Sequence, residues 1–199
     1  MKTHSSKTRR SGFTLIELLV VITIIAALAA LSFTGINAAL KKTRKTESEV
    51  IANALVTAVE KFETEYNRLP DVGAGGDVVT VNTNTSDGVE LLRILLADEG
   101  TGGSLQNKRK LVLLDVKEAK AQKGGVDYGT SGNSSAQALY DTFGNPYTVV
   151  LNAGYRNALT FTIPEGAEYN LRGESVAVYS AGADRELGTS DDITTFRKR

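Results

Sequence analysis

A long uncharged hydrophobic run near the N-terminus is the first pattern in the chain. No charged residue occurs from Leu18 to Leu40. As an α-helix this run would be about 34 Å long, which is enough to cross a hydrocarbon core of about 30 Å. A basic stretch, residues 1–12, precedes it, and Glu17 stands directly at its start. We therefore predict a transmembrane helical segment over residues 13–40. The presence of Glu17 in this segment requires a separate explanation, because placing a charged side chain in lipid costs free energy.

The helical pattern continues beyond this run but becomes amphipathic. Apolar residues recur at spacings of three and four, which places them on one face of a helix: Val50, Ile51, Leu55, Ala58, Val59, Phe62 and Tyr66. Lysine, threonine and glutamate residues fill the opposite face. Pro70 follows the last of these positions and prevents the helix from continuing. We predict that residues 41–66 form an amphipathic half of the same helix and pack on a globular domain.

The rest of the chain, residues 67–199, has the pattern of a small globular head. The predicted elements are a strand at Val78–Val81, a short helix through Val89–Leu96 closed by Gly100, and strands at Tyr147–Leu151, Ala158–Ile163 and Val176–Ser180. The segment 110–125 is compatible with a strand followed by a helical turn, or with one short helix. Residues 124–137 have the composition of a loop, and we expect a disordered tail from Phe196.

These elements predict an α+β fold. A small antiparallel sheet laid against the long N-terminal helix would bury the apolar faces of both. The predicted architecture is therefore a long helix, half in lipid and half on the sheet, followed by short strands and loops.

Composition limits the chemistry available to the head. The chain has 23 basic and 23 acidic residues, no cysteine and one histidine, His4. Disulfides, thiolate metal sites and histidine-based catalytic triads are therefore excluded within one chain. The basic residues of the 108–123 segment alternate with acidic ones, which is typical of a solvated face. We expect neither an enzyme nor a nucleic-acid partner.

The residues that join the basic stretch to the hydrophobic run form a motif. Arg9–Glu17, Arg-Arg-Ser-Gly-Phe-Thr-Leu-Ile-Glu, resembles the processing site of type IV pilin-like proteins, which include type IV pilins and the pseudopilins of type II secretion. The resemblance implies that a prepilin peptidase removes residues 1–12 as a leader, cutting between Gly12 and Phe13, and methylates the new amine of Phe13. It also implies that Glu17 pairs with the amino terminus of a neighbouring subunit. Two opposite charges that pair in lipid have a smaller free-energy cost of leaving water than either charge alone. A glutamate that reaches the lipid headgroups is the alternative.

A second motif lies in the predicted head. Residues 141–147, Asp-Thr-Phe-Gly-Asn-Pro-Tyr, resemble the Asp-x-Trp-Gly-x-Pro-Tyr turn of the major pseudopilin of type II secretion, with Phe143 in place of tryptophan. Gly144 can take a positive φ and Pro146 restricts the residue before it, so a tight turn is expected here. An ordinary turn into a strand would use the same residues.

A third motif is acidic and lies near the C-terminus. The stretch Tyr179–Phe196, Tyr-Ser-Ala-Gly-Ala-Asp-Arg-Glu-Leu-Gly-Thr-Ser-Asp-Asp-Ile-Thr-Thr-Phe, contains the acidic loop 181–195 and resembles the calcium loop of the major pseudopilin. Calcium binds oxygen atoms of carboxylates and main-chain carbonyls on flexible loops. The ligands that the resemblance implies are the side chains of Asp184, Asp191 and Asp192 and the carbonyls of Ala181 and Thr189. The spacing is not that of an EF-hand, and an acidic surface loop is the alternative.

The three motifs together predict a structural subunit. The resemblance implies a single-pass protein of the bacterial inner membrane with a periplasmic head, which is cut by prepilin peptidase. It then assembles with copies of itself and other pseudopilins into the filament of a type II secretion system that supports protein export. A minor type IV pilin of a surface pilus is the alternative. The absence of cysteine favours a pseudopilin, because many type IV pilins close a C-terminal loop with a disulfide.

Overall fold

The secondary structure follows the predicted order of a long helix and then short strands. The computed structural model describes residues 12–100, 105–129, 135–164 and 168–196, without the side chains of residues 30–35. Its elements are α1 (Leu15–Tyr66), β1 (Val79–Asn82), α2 (Ser86–Leu95), β2 (Gly125–Asp127), β3 (Ala138–Tyr140), β4 (Thr148–Leu151), β5 (Ala158–Thr162), β6 (Glu168–Arg172), β7 (Val176–Ser180) and β8 (Ile193–Thr194). The chain divides into an N-terminal unit, residues 1–41, and a head unit, residues 42–199. The α+β class is confirmed.

In the N-terminal unit, the apolar side chains of α1 are exposed around the whole helix. From Leu15 to Leu40, the large hydrophobic side chains of the described residues are 45–82% exposed. Consecutive residues are included, such as the run from Leu18 to Ile22, so no face of this part of the helix is polar. Within the part of the chain that is described, no helix has both the length and the apolar character needed to cross a membrane. The transmembrane assignment of residues 13–40 is thus not confirmed.

In the head unit, one face of α1 is buried. The predicted positions Ile51, Leu55, Ala58, Val59 and Phe62 lie in the core. Val50 does not, since it is 63% exposed, and its assignment to the buried face was wrong. Ser48 and Ala52 occupy that face instead. The reason is geometric, because two residues correspond to about 200° around a helix, so that Val50 points away from Ser48.

A four-stranded antiparallel sheet packs on this face of α1. The strand order is β1-β4-β7-β8, with Val79 opposite Leu151 and Leu151 opposite Val176. One hydrophobic cluster joins the buried face of α1, the apolar side of α2 and the sheet, and includes Leu55, Phe62, Leu92, Val149 and Val178. The strands predicted around residues 79, 148 and 176 are confirmed.

Two further strand pairs are inserted between strands of this sheet, β2–β3 between β1 and β4 and β5–β6 between β4 and β7. A second, aromatic cluster forms around β5 and β6. The ring of Phe196 packs edge-on against Phe161 and Tyr169, with centroid distances of 5.4 Å and 4.7 Å. The expectation that a disordered tail begins at Phe196 was therefore wrong at this residue, and residues 197–199 lie outside the described part.

Three segments differ from the prediction. Helix α2 ends at Leu95 rather than near Gly100, because Ala97 already takes a left-handed conformation with a φ of 59°. Most of segment 110–125 forms neither of its predicted alternatives and is held by main-chain contacts such as the amides of Leu113 and Leu114 to the Leu95 carbonyl. The predicted loop at 124–137 contains β2, and the short strands β6 and β8 were not predicted.

Candidate functional site

The predicted cleavage site is accessible in the N-terminal unit. Gly12 and Phe13 precede α1, are not helical and are exposed. Among the described residues, apart from its neighbours in the chain, no atom lies within 4 Å of the position that a Cβ would take at Gly12. The rest of the predicted leader, residues 1–11, lies outside the described residues. The peptide bond between Gly12 and Phe13 is thus free of steric protection from the described part of the chain.

Glu17 is engaged within its own helix. The main-chain amide and the hydroxyl of Thr14 donate to Glu17 Oε2 at 2.9 Å and 2.7 Å, and the amide of Glu17 approaches Thr14 Oγ1 at 3.4 Å. This Thr-x-x-Glu arrangement is a capping box, which satisfies amides that lack partners at a helix N-terminus. The sequence analysis missed this signal, although Thr14 and Glu17 have the required spacing directly before an apolar run. Both bonds that Glu17 accepts use Oε2, so within the described residues Oε1 is available for another contact.

The second motif is organised by a buried carboxylate. Asp141 is fully buried, and its Oδ1 accepts hydrogen bonds from the amides of Phe143 and Asn145, both at 2.8 Å. Its Oδ2 accepts from the Ser180 hydroxyl at 2.7 Å and from the side-chain amide of Asn145 at 3.1 Å. Gly144 takes a φ of 95°, so the predicted tight turn is confirmed. A buried charge is tolerated only when it is hydrogen-bonded, and four donors meet that condition here.

The same turn is bonded to α1. Thr142 Oγ1 donates to the Arg44 carbonyl at 2.9 Å, and the Thr142 amide donates to Ser48 Oγ at 3.1 Å. The hydroxyl of Tyr147 donates to the Ser48 carbonyl at 2.8 Å. Burial, together with the Asp141 carboxylate, raises the pKa of Tyr147, which therefore remains a donor. The sequence analysis did not find Ser48, although a serine in register with an apolar stripe is a signal for a buried polar contact.

The turn and α1 together hold the start and the end of the acidic loop. The side-chain amide of Asn145 donates to the Gly182 carbonyl at 2.5 Å, and the ammonium of Lys45 donates to the Ser190 carbonyl at 2.9 Å. Gly182 has a φ of 69°, and a Cβ at this position would lie 2.4 Å from the Asp191 carbonyl oxygen. Only glycine fits such a close approach with this backbone conformation.

Asp191 closes the acidic loop. Its Oδ2 accepts from the amides of Ala183 at 2.7 Å and Asp184 at 3.1 Å, and its Oδ1 accepts from the Thr189 hydroxyl at 2.6 Å. Burial alone would raise the pKa of Asp191, but these hydrogen bonds and the Asp184 side chain outweigh it and lower the pKa to about 2. Asp191 therefore stabilises the loop as an anion.

The other two predicted carboxylate ligands have different environments. Asp184 is exposed, and its Oδ1 accepts from the Glu186 amide at 2.9 Å. Asp192 is only 4% exposed, and its Oδ2 accepts from the Gly188 amide at 2.9 Å. The described residues contain no group of three or more histidine or acidic side chains placed to hold a metal ion. All three predicted carboxylates thus accept main-chain amides of the loop itself.

The acidic loop contains the types of oxygen ligand that the calcium prediction requires. Three carboxylates, those of Asp184, Asp191 and Asp192, lie within nine residues of the loop. The two predicted main-chain ligands lie on the same loop, since Ala181 directly follows β7 and Thr189 precedes Asp191 by two residues. Carboxylate and carbonyl oxygens on one loop are the ligands that calcium prefers.

Comparison with known proteins gives one match, at the N-terminus. No curated protein and no solved structure matches the chain. Residues 7–33 match the family model of the prokaryotic N-terminal methylation motif. This range contains the accessible Gly12–Phe13 bond, the capping box and the first turns of the exposed apolar helix. The match supports a type IV pilin-like protein that is processed by prepilin peptidase.

Proposed function

We propose that this chain is a pseudopilin, a structural subunit of the filament of a type II secretion system. The observation that carries the proposal is the methylation motif at residues 7–33, which includes the first turns of a helix with apolar side chains exposed on all sides. An exposed apolar surface of this extent is unfavourable in water. The N-terminal unit therefore needs an apolar environment, which the inner membrane would provide before assembly and neighbouring helices would provide in a filament.

Processing creates the charge that Glu17 would bind. Removal of residues 1–12 exposes the amine of Phe13, whose pKa near 8 makes it mostly cationic at neutral pH. Glu17 Oε2 caps its own helix, and Oε1 would receive the amine of a neighbouring subunit. An open helical filament is built from such head-to-tail contacts, in which one surface binds a different surface of the next copy.

The head would have a structural role. Neither cysteine nor histidine occurs beyond His4, so the usual nucleophile and base pairs are missing from it. Calcium belongs to the proposal as the cation that the carboxylates of Asp184, Asp191 and Asp192 would hold, with the carbonyls of Ala181 and Thr189. When bound, the ion would neutralise these carboxylates and stiffen the loop that follows β7.

Mass spectrometry of the mature N-terminus tests the processing step. We expect that the full chain, expressed with a prepilin peptidase, starts at Phe13 and carries one added methyl group. Gly12→Ala should leave the leader attached, whereas Ser11→Ala, a matched change one residue away, should be cut normally. An uncut chain in the presence of an active peptidase would contradict the proposal.

The position of Glu17 allows its two roles to be separated. Glu17→Ala removes both the charge and the capping bond, whereas Glu17→Gln keeps a capping-box residue and removes only the charge. We expect both variants to lose their leader normally and both to fail in filament assembly. Filaments formed by the Gln variant alone would restrict Glu17 to helix capping.

Deletion of the gene distinguishes secretion from a surface pilus. A pseudopilin is required for protein export, so we expect secreted proteins to accumulate in the periplasm while surface fibres are unchanged. Loss of fibres with normal secretion would instead assign the chain to a minor type IV pilin.

A further inference from the structure

A cluster of cationic side chains lies in the head unit where α1 meets the loop before β2. Four exposed basic residues line a shallow depression of about 210 Å³, together with Glu47, Gly124 and Thr142. The four residues, which we call the basic cluster, are Arg44, Lys117, Lys120 and Lys123. They come from two distant parts of the chain, so this concentration of charge is a product of the fold.

The charge of the basic cluster is largely uncompensated. Glu47 is its one acidic lining residue and forms an ion pair with Lys117. Within the described residues, the other three cations make no ion pair. The neighbouring Lys45 does not belong to the cluster, because its ammonium binds the Ser190 carbonyl. The whole chain has no net charge, so the excess of positive charge is local.

The backbone that carries two of these lysines is strained. Ala121 and Gln122 have φ values of 51° and 58°, which non-glycine residues rarely adopt. The turn is closed by the amide of Lys120, which donates to the Lys123 carbonyl at 3.1 Å. Two consecutive left-handed residues thus bring two lysines with like charges to the same turn. Strain of this kind concentrates at functional positions, where the rest of the fold enforces it.

We propose that the basic cluster binds the phosphate groups of anionic lipids. The proposal rests on the membrane attachment in the proposed function. Arg44 lies four residues after Leu40, the last residue of the uncharged run. One member of the cluster therefore directly follows the apolar segment in sequence. Arginine and lysine are the side chains that recognise phosphate, and basic segments beside a membrane attract anionic headgroups.

Native mass spectrometry of the full chain in a neutral detergent tests this proposal. Phosphatidylglycerol and phosphatidylcholine with the same acyl chains are titrated separately, and apparent Kd values are taken from the lipid adducts. We expect the wild type to bind phosphatidylglycerol more tightly than phosphatidylcholine. In the Lys120→Gln/Lys123→Gln variant, the apparent Kd for phosphatidylglycerol should rise about 25-fold, which corresponds to roughly fivefold for each lysine. The matched control, Lys108→Gln/Lys110→Gln, removes the same charge from another exposed segment and should bind like the wild type. Replacing Lys120 and Lys123 by arginine should preserve binding.

Several results would overturn the assignment. Equal binding of the two lipids, or equal losses in both double variants, would exclude a specific headgroup site. Displacement of phosphatidylglycerol by inorganic phosphate at equal concentration would assign the cluster to free phosphate. Unchanged lipid binding with weaker self-association of the Lys120/Lys123 variant would assign it to the acidic surface of a second copy. None of these outcomes depends on the methylated N-terminus, so failure here is distinguishable from failure of the proposed function.

Discussion

Substitution of Asp141 by asparagine is expected to destabilise the head strongly. Asparagine has nearly the same shape, but one carboxylate oxygen becomes an NH2 donor. The amides of Phe143 and Asn145 can only donate to Oδ1, so the new NH2 is expected at the Oδ2 position. There it faces the side-chain amide of Asn145, another donor, whereas the Ser180 hydroxyl can rotate and accept.

The size of the effect follows from burial. A buried donor left without an acceptor costs about 1–3 kcal/mol, and hydrogen bonds to a charged group contribute about 1.5–3 kcal/mol each. We therefore expect Asp141→Asn to lower the free energy of unfolding by about 3 kcal/mol. For a unit of the size of residues 42–199, this corresponds to a Tm lower by about 6–12 °C.

Thermal unfolding of the head unit, residues 42–199, is the assay, because both hydrophobic clusters lie within this unit. The control is Asp71→Asn. Asp71 is also an aspartate that accepts a main-chain amide, that of Gly73 at 2.9 Å, but it is exposed. We expect the Tm of the Asp71→Asn variant to differ from that of the wild type by less than about 1–2 °C, since asparagine can accept the same hydrogen bond. If Asp141→Asn and Asp71→Asn have the same Tm, the buried network does not carry the stability that we assign to it.

Three further predictions concern the acidic loop. Gly182→Ala should destabilise the head by more than about 2 kcal/mol, whereas Gly173→Ala should destabilise it by about 1 kcal/mol. Both glycines have a positive φ, but only at Gly182 would a Cβ lie against a carbonyl oxygen. Equal Tm values for the two variants would contradict the close approach. In EDTA, the stabilisation by Asp191 should be fully present above the unfolded pKa of 3.8 and disappear as the pH falls through about 2, because folding lowers the pKa. The Tm difference between the wild type and Asp191→Asn, measured from pH 5 to 2, should therefore shrink on acidification, and a constant difference would refute the assigned role. Calcium at about 100 times its Kd should raise the Tm of the wild-type head by about 5–10 °C. Asp184→Asn should abolish most of this rise. A wild-type Tm that does not respond to calcium would remove the ion from the proposal.

The N-terminal features could be predicted because their signals are local. Uncharged length and the spacing of apolar residues define most of α1, and the processing motif is contiguous in the chain. Even here the prediction of the buried face was wrong at one position. Val50 fits a pattern of threes and fours with its neighbours, but the buried stripe is centred on Ser48 and Ala52, and serine does not count as apolar in such a pattern.

The organisation of the head could not be predicted because its contacts join distant residues. Asp141 meets a serine 39 positions away, and Tyr147 meets α1 across 99 positions. Phe196 has too few apolar neighbours in sequence to indicate a core residue, and its burial depends on Phe161 and Tyr169. Short strands such as β6 and β8 are likewise defined by their partners, since a segment of two to five residues carries little periodicity of its own.

The polar network of the head explains how the C-terminal loop is held without a disulfide. The chain has no cysteine, and single hydrogen bonds contribute only about 0.5–1.5 kcal/mol each. The loop is therefore fastened at several points, by Asn145 to Gly182, by Lys45 to Ser190 and by the amides that bind Asp191. Because one turn carries both the bonds to α1 and the bond to the loop, their stabilities are coupled. We accordingly expect Asp141→Asn to accelerate amide hydrogen exchange in the loop and at the Ser48 turn of α1 together, whereas a loop anchored independently would exchange faster alone.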